Sequence, residues 1–361
     1  LGVLYFTQGK YQEALKIHFQ VLEIFKNSFK SENSGISSTY ANIGMAYEKL
    51  KNFSEARKYY NKSLEIKISC LGSGHPHVAI IYSSIANLLL EEENYQEAEK
   101  YYKMALDIRI ASFGENHDLV ADSYEHIGLV YYYREDFNKA LEYFEKSLQI
   151  RLKIFGADHA DVGNSYNQLG VLYSSQGNYD KALDYLIKCR DIWLKIYGPE
   201  HENLSTVDVN LGNIYAGTKE YDKALKQYQN ALQISIRNFG EDGPELIELF
   251  KKIGNILYEK KELSQALNYF EKSLHIESLD ENIDPEDEES QLDMANTIEK
   301  IAEICLELND NDRALFHYKR ALEINSKFLC RSDKKLVYLQ AQIKKISKDS
   351  ILNHSEESEK D

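Results

Sequence analysis

The sequence holds only 4 prolines in 361 residues, so little prevents long uninterrupted helices. It holds only 4 cysteines, Cys70, Cys189, Cys305 and Cys330, scattered and with no C-x-x-C pair. That argues against a disulfide framework or a zinc site and suits a reducing compartment. Long hydrophobic runs are missing too. The longest, Val78 to Leu90, spans 13 residues and already contains Ser83, Ser84 and Asn87. A membrane-spanning helix needs about 20 apolar residues, so no membrane insertion is expected. The opening Leu1-Gly2-Val3-Leu4-Tyr5-Phe6 has no basic leader and no cleavage site, so no signal peptide is expected there. Basic excess is absent. The net charge is −15, but nine acids and no base lie between Glu277 and Asp293, and four acids and one lysine lie beyond Ser350. Removing both segments leaves a nearly neutral body, which offers no footprint for nucleic acid.

What the chain does have is a core-forming composition, 43% hydrophobic and 28% charged, and an internal repeat. Alanine recurs at Ala14, Ala56, Ala98, Ala140, Ala182, Ala224 and Ala266, always 42 residues apart, and again at Ala314 after 48. Twelve residues before each lies a second small residue: Gly2, Gly44, Ala86, Gly128, Gly170, Gly212, Gly254 and Ala302. Three before each alanine is Tyr11, Phe53, Tyr95, Phe137, Tyr179, Tyr221 or Leu263, and the eighth has Asn311 instead. Four after it is usually a ring: Tyr60, Tyr102, Phe144, Tyr228, Phe270 or Tyr318. Ten after it is isoleucine in every case, from Ile24 to Ile324. A fixed period of this kind means a solenoid or array.

Each repeat reads as two helices. In the fifth, Val162, Tyr166, Leu169, Leu172 and Tyr173 have helical spacing, and Gln176-Gly177-Asn178 is a turn. Tyr179, Ala182, Leu183, Leu186, Ile192 and Ile196 then repeat at threes and fours, and Gly198-Pro199 closes the second helix. The small residues mark where two helices cross closely, and the rings fill the space around them.

These residues resemble the tetratricopeptide repeat: Leu169-Gly170 with Tyr173 in the first helix, then Tyr-x-x-Ala and an aromatic residue in the second. The longer period and the linking motif F/L-G-x-x-H, as in Phe113-Gly114 to His117 and Phe155-Gly156 to His159, are similar to the kinesin light chain form. The resemblance implies an all-α α-solenoid, a right-handed superhelix of eight helix hairpins closed by a C-terminal capping helix. The expected organisation is seven repeats over 1–276, with the first truncated, then an acidic loop over 277–293 too charged to pack. The eighth repeat follows over 294–330, a capping helix over 331–349 and a disordered acidic tail over 350–361. A half helix at Leu1 suggests a piece of a longer protein.

Chemistry is harder to find. His75, His117, His159 and His201 recur at one position, but a repeat apart they cannot share a metal ion, so they are expected at helix starts. His201-Glu202 fails to complete H-E-x-x-H at Ser205. Asp280-x-Asn282-x-Asp284 opens like a calcium loop but has Pro285 and Gln291 where glycine and glutamate are needed. No catalytic constellation, cofactor or metal is expected. The resemblance implies a concave groove lined by first helices, and its groove positions fall on Asn42, Asn87, Asn167, Asn210, Asn213 and Asn255. An amide bonds both C=O and N–H of an extended peptide whatever its sequence. Lys251 with Asn255 matches the first half of a carboxylate clamp, but Lys300 stands where the next asparagine belongs. The expected function is a non-enzymatic, cytoplasmic adaptor binding a protein or peptide partner, with the cytoskeleton as one place of attachment. A regulatory array of a larger protein and a static structural element are the alternatives.

Overall fold

The computed structural model describes residues 1–28, 34–279 and 287–358, with side chains to residue 347. Among them are seventeen α-helices and no strand. The helices pair as hairpins: α1 (Gly2–Thr7) with α2 (Tyr11–Ser28), α3 (Ser34–Lys49) with α4 (Phe53–Leu71), and α5 (Pro76–Glu91) with α6 (Tyr95–Phe113). Next come α7 (Asp118–Tyr133) with α8 (Phe137–Phe155), and α9 (Ala160–Ser175) with α10 (Tyr179–Tyr197). The remaining pairs are α11 (Glu202–Gly217) with α12 (Tyr221–Phe239), α13 (Ile247–Glu259) with α14 (Leu263–Leu279), and α15 (Glu288–Glu307) with α16 (Asn311–Phe328). A last helix, α17, covers Lys334–Ser358. The chain forms two compact parts, Leu1–Ile192 and Trp193–Asp361.

The same local devices build each hairpin. Second helices start on Asn52, Asp136, Asn178 and Asp310, whose side chains accept from the amide three residues on at 3.1–3.3 Å. First helices start on the recurring histidines. Nδ1 of His75, His117, His159 and His201 accepts the backbone N–H two residues on at 3.1–3.2 Å. The His159 ring also stacks on Phe155, with centroids 4.1 Å apart. These histidines are helix caps, as their register suggested. Where the seventh repeat has Gly243 instead, no side chain caps the helix, and a 3₁₀ turn over Pro244–Leu246 delays α13 to Ile247. Within every hairpin the turn contains one residue with positive φ, at Gly9, Lys51, Glu93, Glu135, Gly177, Lys219, Lys261 and Asn309.

The helices of a hairpin touch at the small residue. A Cβ on Gly128 would lie 2.7 Å from the Phe144 ring, and one on Gly212 would lie 2.5 Å from Tyr228. Those are distances no side chain tolerates, so glycine here sets the interaxial spacing. Ala56, Ala98, Ala140, Ala182, Ala224, Ala266 and Ala314 are fully buried at the same crossings. At the far end, Leu339 and Ile346 of α17 share a core with Tyr318 and Ala321 of α16.

Two expected boundaries are corrected. The segment 277–293 is not a loop throughout: Glu277 to Leu279 finish α14, and α15 starts at Glu288, capped by Asp287. Its first residue also packs, since Glu277 is 5% exposed and has found a cation. The middle of that segment, 280–286, lies outside the described residues. The expected unstructured tail is helical as far as Ser358, as a continuation of α17, and 359–361 lie outside the described residues.

Candidate functional site

All six asparagines lie on first helices, at three positions counted from the small crossing residue. Asn167 is three before it, Asn42 and Asn210 are two before, and Asn87, Asn213 and Asn255 are one after. Asn213 and Asn255 are exposed and the other four half-buried. The crossing glycine turns its missing side chain to the second helix, which leaves the next residue free of that contact.

Two of these amides are held by buried tyrosines. Tyr228, packed on Gly212, donates its hydroxyl to Asn213 Oδ1 at 2.9 Å, and Tyr102 donates to Asn87 Oδ1. Burial raises both phenols, Tyr228 to about 12, so both stay protonated donors at neutral pH. With Oδ1 engaged, the two N–H donors of each amide point the other way. In the second repeat Met45 replaces asparagine, and Tyr60 donates to Glu48 one turn further along α3. In the sequence these rings register only as packing. A signal was present: the fourth and fifth repeats carry Phe144 and Leu186 and place Leu129 and Val171 where the third and sixth place asparagine. Two amides also open into hollows. Asn87 lines one of about 590 Å³ with Glu48, Tyr102 and His126. Asn210 lines another of about 430 Å³ with Asn203, Ser205 and Thr206.

Lys251 is corrected as an open groove residue. Its ammonium lies 2.6 Å from Glu277 Oε1 and 2.6 Å from Asp293 Oδ2, and the residue is 9% exposed. Burial pulls its pKa down, but the hydrogen bonds to Asp293 and Glu277 outweigh that and hold it above the ordinary lysine value. Glu277 is pushed up, chiefly by burial and against the pull of Lys251. A ligand carboxylate would therefore have to displace Asp293 to reach this lysine.

Glu277 belongs to a series that the sequence reading missed. Eleven residues after the buried alanine, six of the eight repeats carry a buried polar residue, Lys67, Arg109, Arg151, Ser235, Glu277 or Asn325, while the first has Phe25 and the fifth Trp193. Arg109 and Arg151 stand where two first helices meet the second helix between them. Arg109 bonds Ser83 on α5 at 3.1 Å and Ser123 on α7 at 2.6 Å. Arg151 binds Asp122 of α7 at 2.6 Å, pairs also with Glu125, and reaches Ser165 of α9 at 3.0 Å.

Models of the tetratricopeptide repeat match residues 1–69, 77–153, 120–195, 161–207 and 203–276, and a further one matches 295–328. The chain belongs to the tetratricopeptide repeat family. Among solved structures, the apo form of RapI is similar to this tetratricopeptide array at 18% identity and a TM-score of 0.57, covering 76% of this chain and 94% of its own. A putative kinesin light chain of Podosopora anserina is similar at 21% identity and a TM-score of 0.48, over 54% of this chain and 93% of that one. BtubC (BKLC) from P. vanneervenii is similar at 22% and 0.49, over 55% and 79%. No curated protein matches the chain. These likenesses concern the fold. A tetratricopeptide array is in general a protein-interaction scaffold, of a fold that is typically non-catalytic. Among the described residues no group of three or more His, Cys, Asp or Glu side chains is placed to hold a metal ion. Among the described residues no helix is long and apolar enough to cross a membrane.

Proposed function

We propose that this tetratricopeptide array is a non-enzymatic adaptor that holds an extended peptide segment of a partner protein along its first helices, in the manner of a kinesin light chain and its cargo. The observation that carries the reading is the pair of tyrosine-held amides, Asn87 and Asn213. An amide fixed in one orientation presents donors to a peptide carbonyl without first losing side-chain freedom, and preorganised contacts bind more tightly. Asn167 and Asn210, half-buried on the same class of helix, extend the set. A cytoplasmic location goes with this reading and with the few cysteines being scattered along the sequence without a C-x-x-C pair.

Neutral amide–peptide bonds contribute about 0.5–1.5 kcal/mol each. Replacing Asn167, Asn210 and Asn213 together by alanine should therefore weaken binding by about 1.5–4.5 kcal/mol, at least about tenfold. The partner is recovered by pull-down with the array, its bound segment is mapped, and the segment is titrated against parent and variant. Equal affinity with an intact helical spectrum would place the contact elsewhere, on the second helices.

A further inference from the structure

We infer that the hollow between α3, α5 and α7 receives a lysine or arginine side chain from the bound peptide. The inference rests on the peptide reading above and adds the residue class that this position selects. The hollow measures about 590 Å³ and lies wholly within the first compact part of the chain. Much of its wall is aromatic. Tyr95 and Tyr133 lie parallel with centroids 6.4 Å apart, and Tyr102 and His126 face each other at 5.3 Å. Ring faces attract a guanidinium or an ammonium, and the guanidinium also stacks on them.

The charge of the hollow is one-sided. Glu48, Glu91 and Glu93 line it against a single cation, Lys49, which is exposed. Nearby glutamates have ion pairs within the chain: Glu92 pairs with Arg57, Glu99 with Lys103 and Arg134, and Glu125 with Arg151. Glu48 has no ion pair among the described residues; its polar partner is the Tyr60 hydroxyl. Burial raises its pKa; the Tyr60 bond and the exposed Lys49 oppose this, and Glu91 nearby adds to the rise. A half-buried carboxylate with no ion pair is costly, and a cation arriving with the peptide would reduce that cost. An acidic or apolar side chain would leave it in place. The amide of Asn87 stands at the same opening, so one residue of the peptide would bond there through its backbone while its side chain enters the hollow.

The test uses the full chain and a random dodecapeptide library displayed on phage. Recovered peptides are synthesised and titrated against the parent, against the double variant Glu48→Gln/Glu91→Gln, and against Glu65→Gln, a surface control on α4. The expected binders share lysine or arginine at one aligned position. Replacing that residue by norleucine, or using the double variant, should each weaken binding at least about tenfold, and the two together should cost no more than either alone. Glu65→Gln should bind like the parent. Circular dichroism must show all three proteins equally helical. Binders without a shared basic position, or with equal affinity for the double variant, would overturn the inference and leave the peptide reading standing. A folded parent that recovers no peptide would overturn both.

Discussion

Replacing Lys251 by methionine should destabilise the array by about 3–5 kcal/mol, the usual cost of stripping one partner from a buried ion pair. The figure follows from where the charges sit. The Lys251 side chain is 11% exposed and that of Glu277 only 5%, so the stranded carboxylate has no water to turn to. One of its oxygens, Oε2, already lacks a hydrogen-bond partner. Glu277→Gln should cost less, about 1–3 kcal/mol, because the ammonium keeps Asp293, whose side chain is 56% exposed. The double variant Lys251→Met/Glu277→Leu removes both desolvated charges and should return to the parent's stability or exceed it by about 1–4 kcal/mol. The assay is urea unfolding followed by the helical signal. Hydrogen exchange across α13, α14 and α15 would separate local opening from global unfolding, since repeats in an array need not melt as one. Two results would refute the reasoning. One is a Lys251→Met variant within about 1 kcal/mol of the parent, which the same buried-pair figure forbids. The other is a double variant no better than Lys251→Met.

Three further outcomes are expected. Gly128→Ala sets a methyl 2.7 Å from the Phe144 ring; overpacking of about 1–3 kcal/mol outweighs a helix-propensity gain of about 1, so the urea midpoint should fall, and an unchanged midpoint would mean that α7 and α8 separate freely. Lys219 holds φ at 62°, where a side chain costs about 1–2 kcal/mol and glycine's lost freedom about 0.5–1, so Lys219→Gly should raise the midpoint slightly; a fall would show that the lysine side chain outweighs the strain. Burial, with Arg313 and Arg320 nearby, holds His317 below the ordinary imidazole value. The folded chain then resists a proton that the unfolded chain accepts, so stability present above about pH 6.5 should decline as pH falls through the depressed value. Thermal melts between neutral and mildly acidic pH should show that decline, flattened in His317→Gln; an equal slope in both would assign the effect to other groups.

The fold was legible because its constraints are local and repeated. A small residue opposite a ring, a turn such as Gln176-Gly177-Asn178 and a histidine before a first helix each leave a mark at a fixed register, and Gly128, Asn178 and His159 could all be placed from the sequence. What escaped depended on pairs from different helices. Glu277 and Asp293 looked like solvent-seeking charge in an acidic run, and only their approach to Lys251, from α14 and α15 onto α13, makes them part of the packing. The hydroxyl of Tyr228 escaped for the same reason: its ring satisfied the packing pattern, so its oxygen was not followed to Asn213. In the candidate site the asparagine positions were visible in the sequence. Their orientation was not, because it is set by a residue fifteen positions away on the neighbouring helix.

The buried polar residue of each seam also decides where this chain can be cut and rejoined. Arg151 finds its carboxylates, Asp122 and Glu125, on the first helix of its own hairpin, and Glu277 finds Lys251 in the same way. What each needs from the following hairpin is slight: a serine hydroxyl for Arg151, and for Lys251 an aspartate at the surface. The hairpin is thus the portable piece. A graft or deletion with its joints in the Gly-x-x-His links carries Arg151 together with Asp122 and Glu125. The same excision made at the tight turns would part Arg151 from its acids and leave a guanidinium sealed against whatever helix arrived.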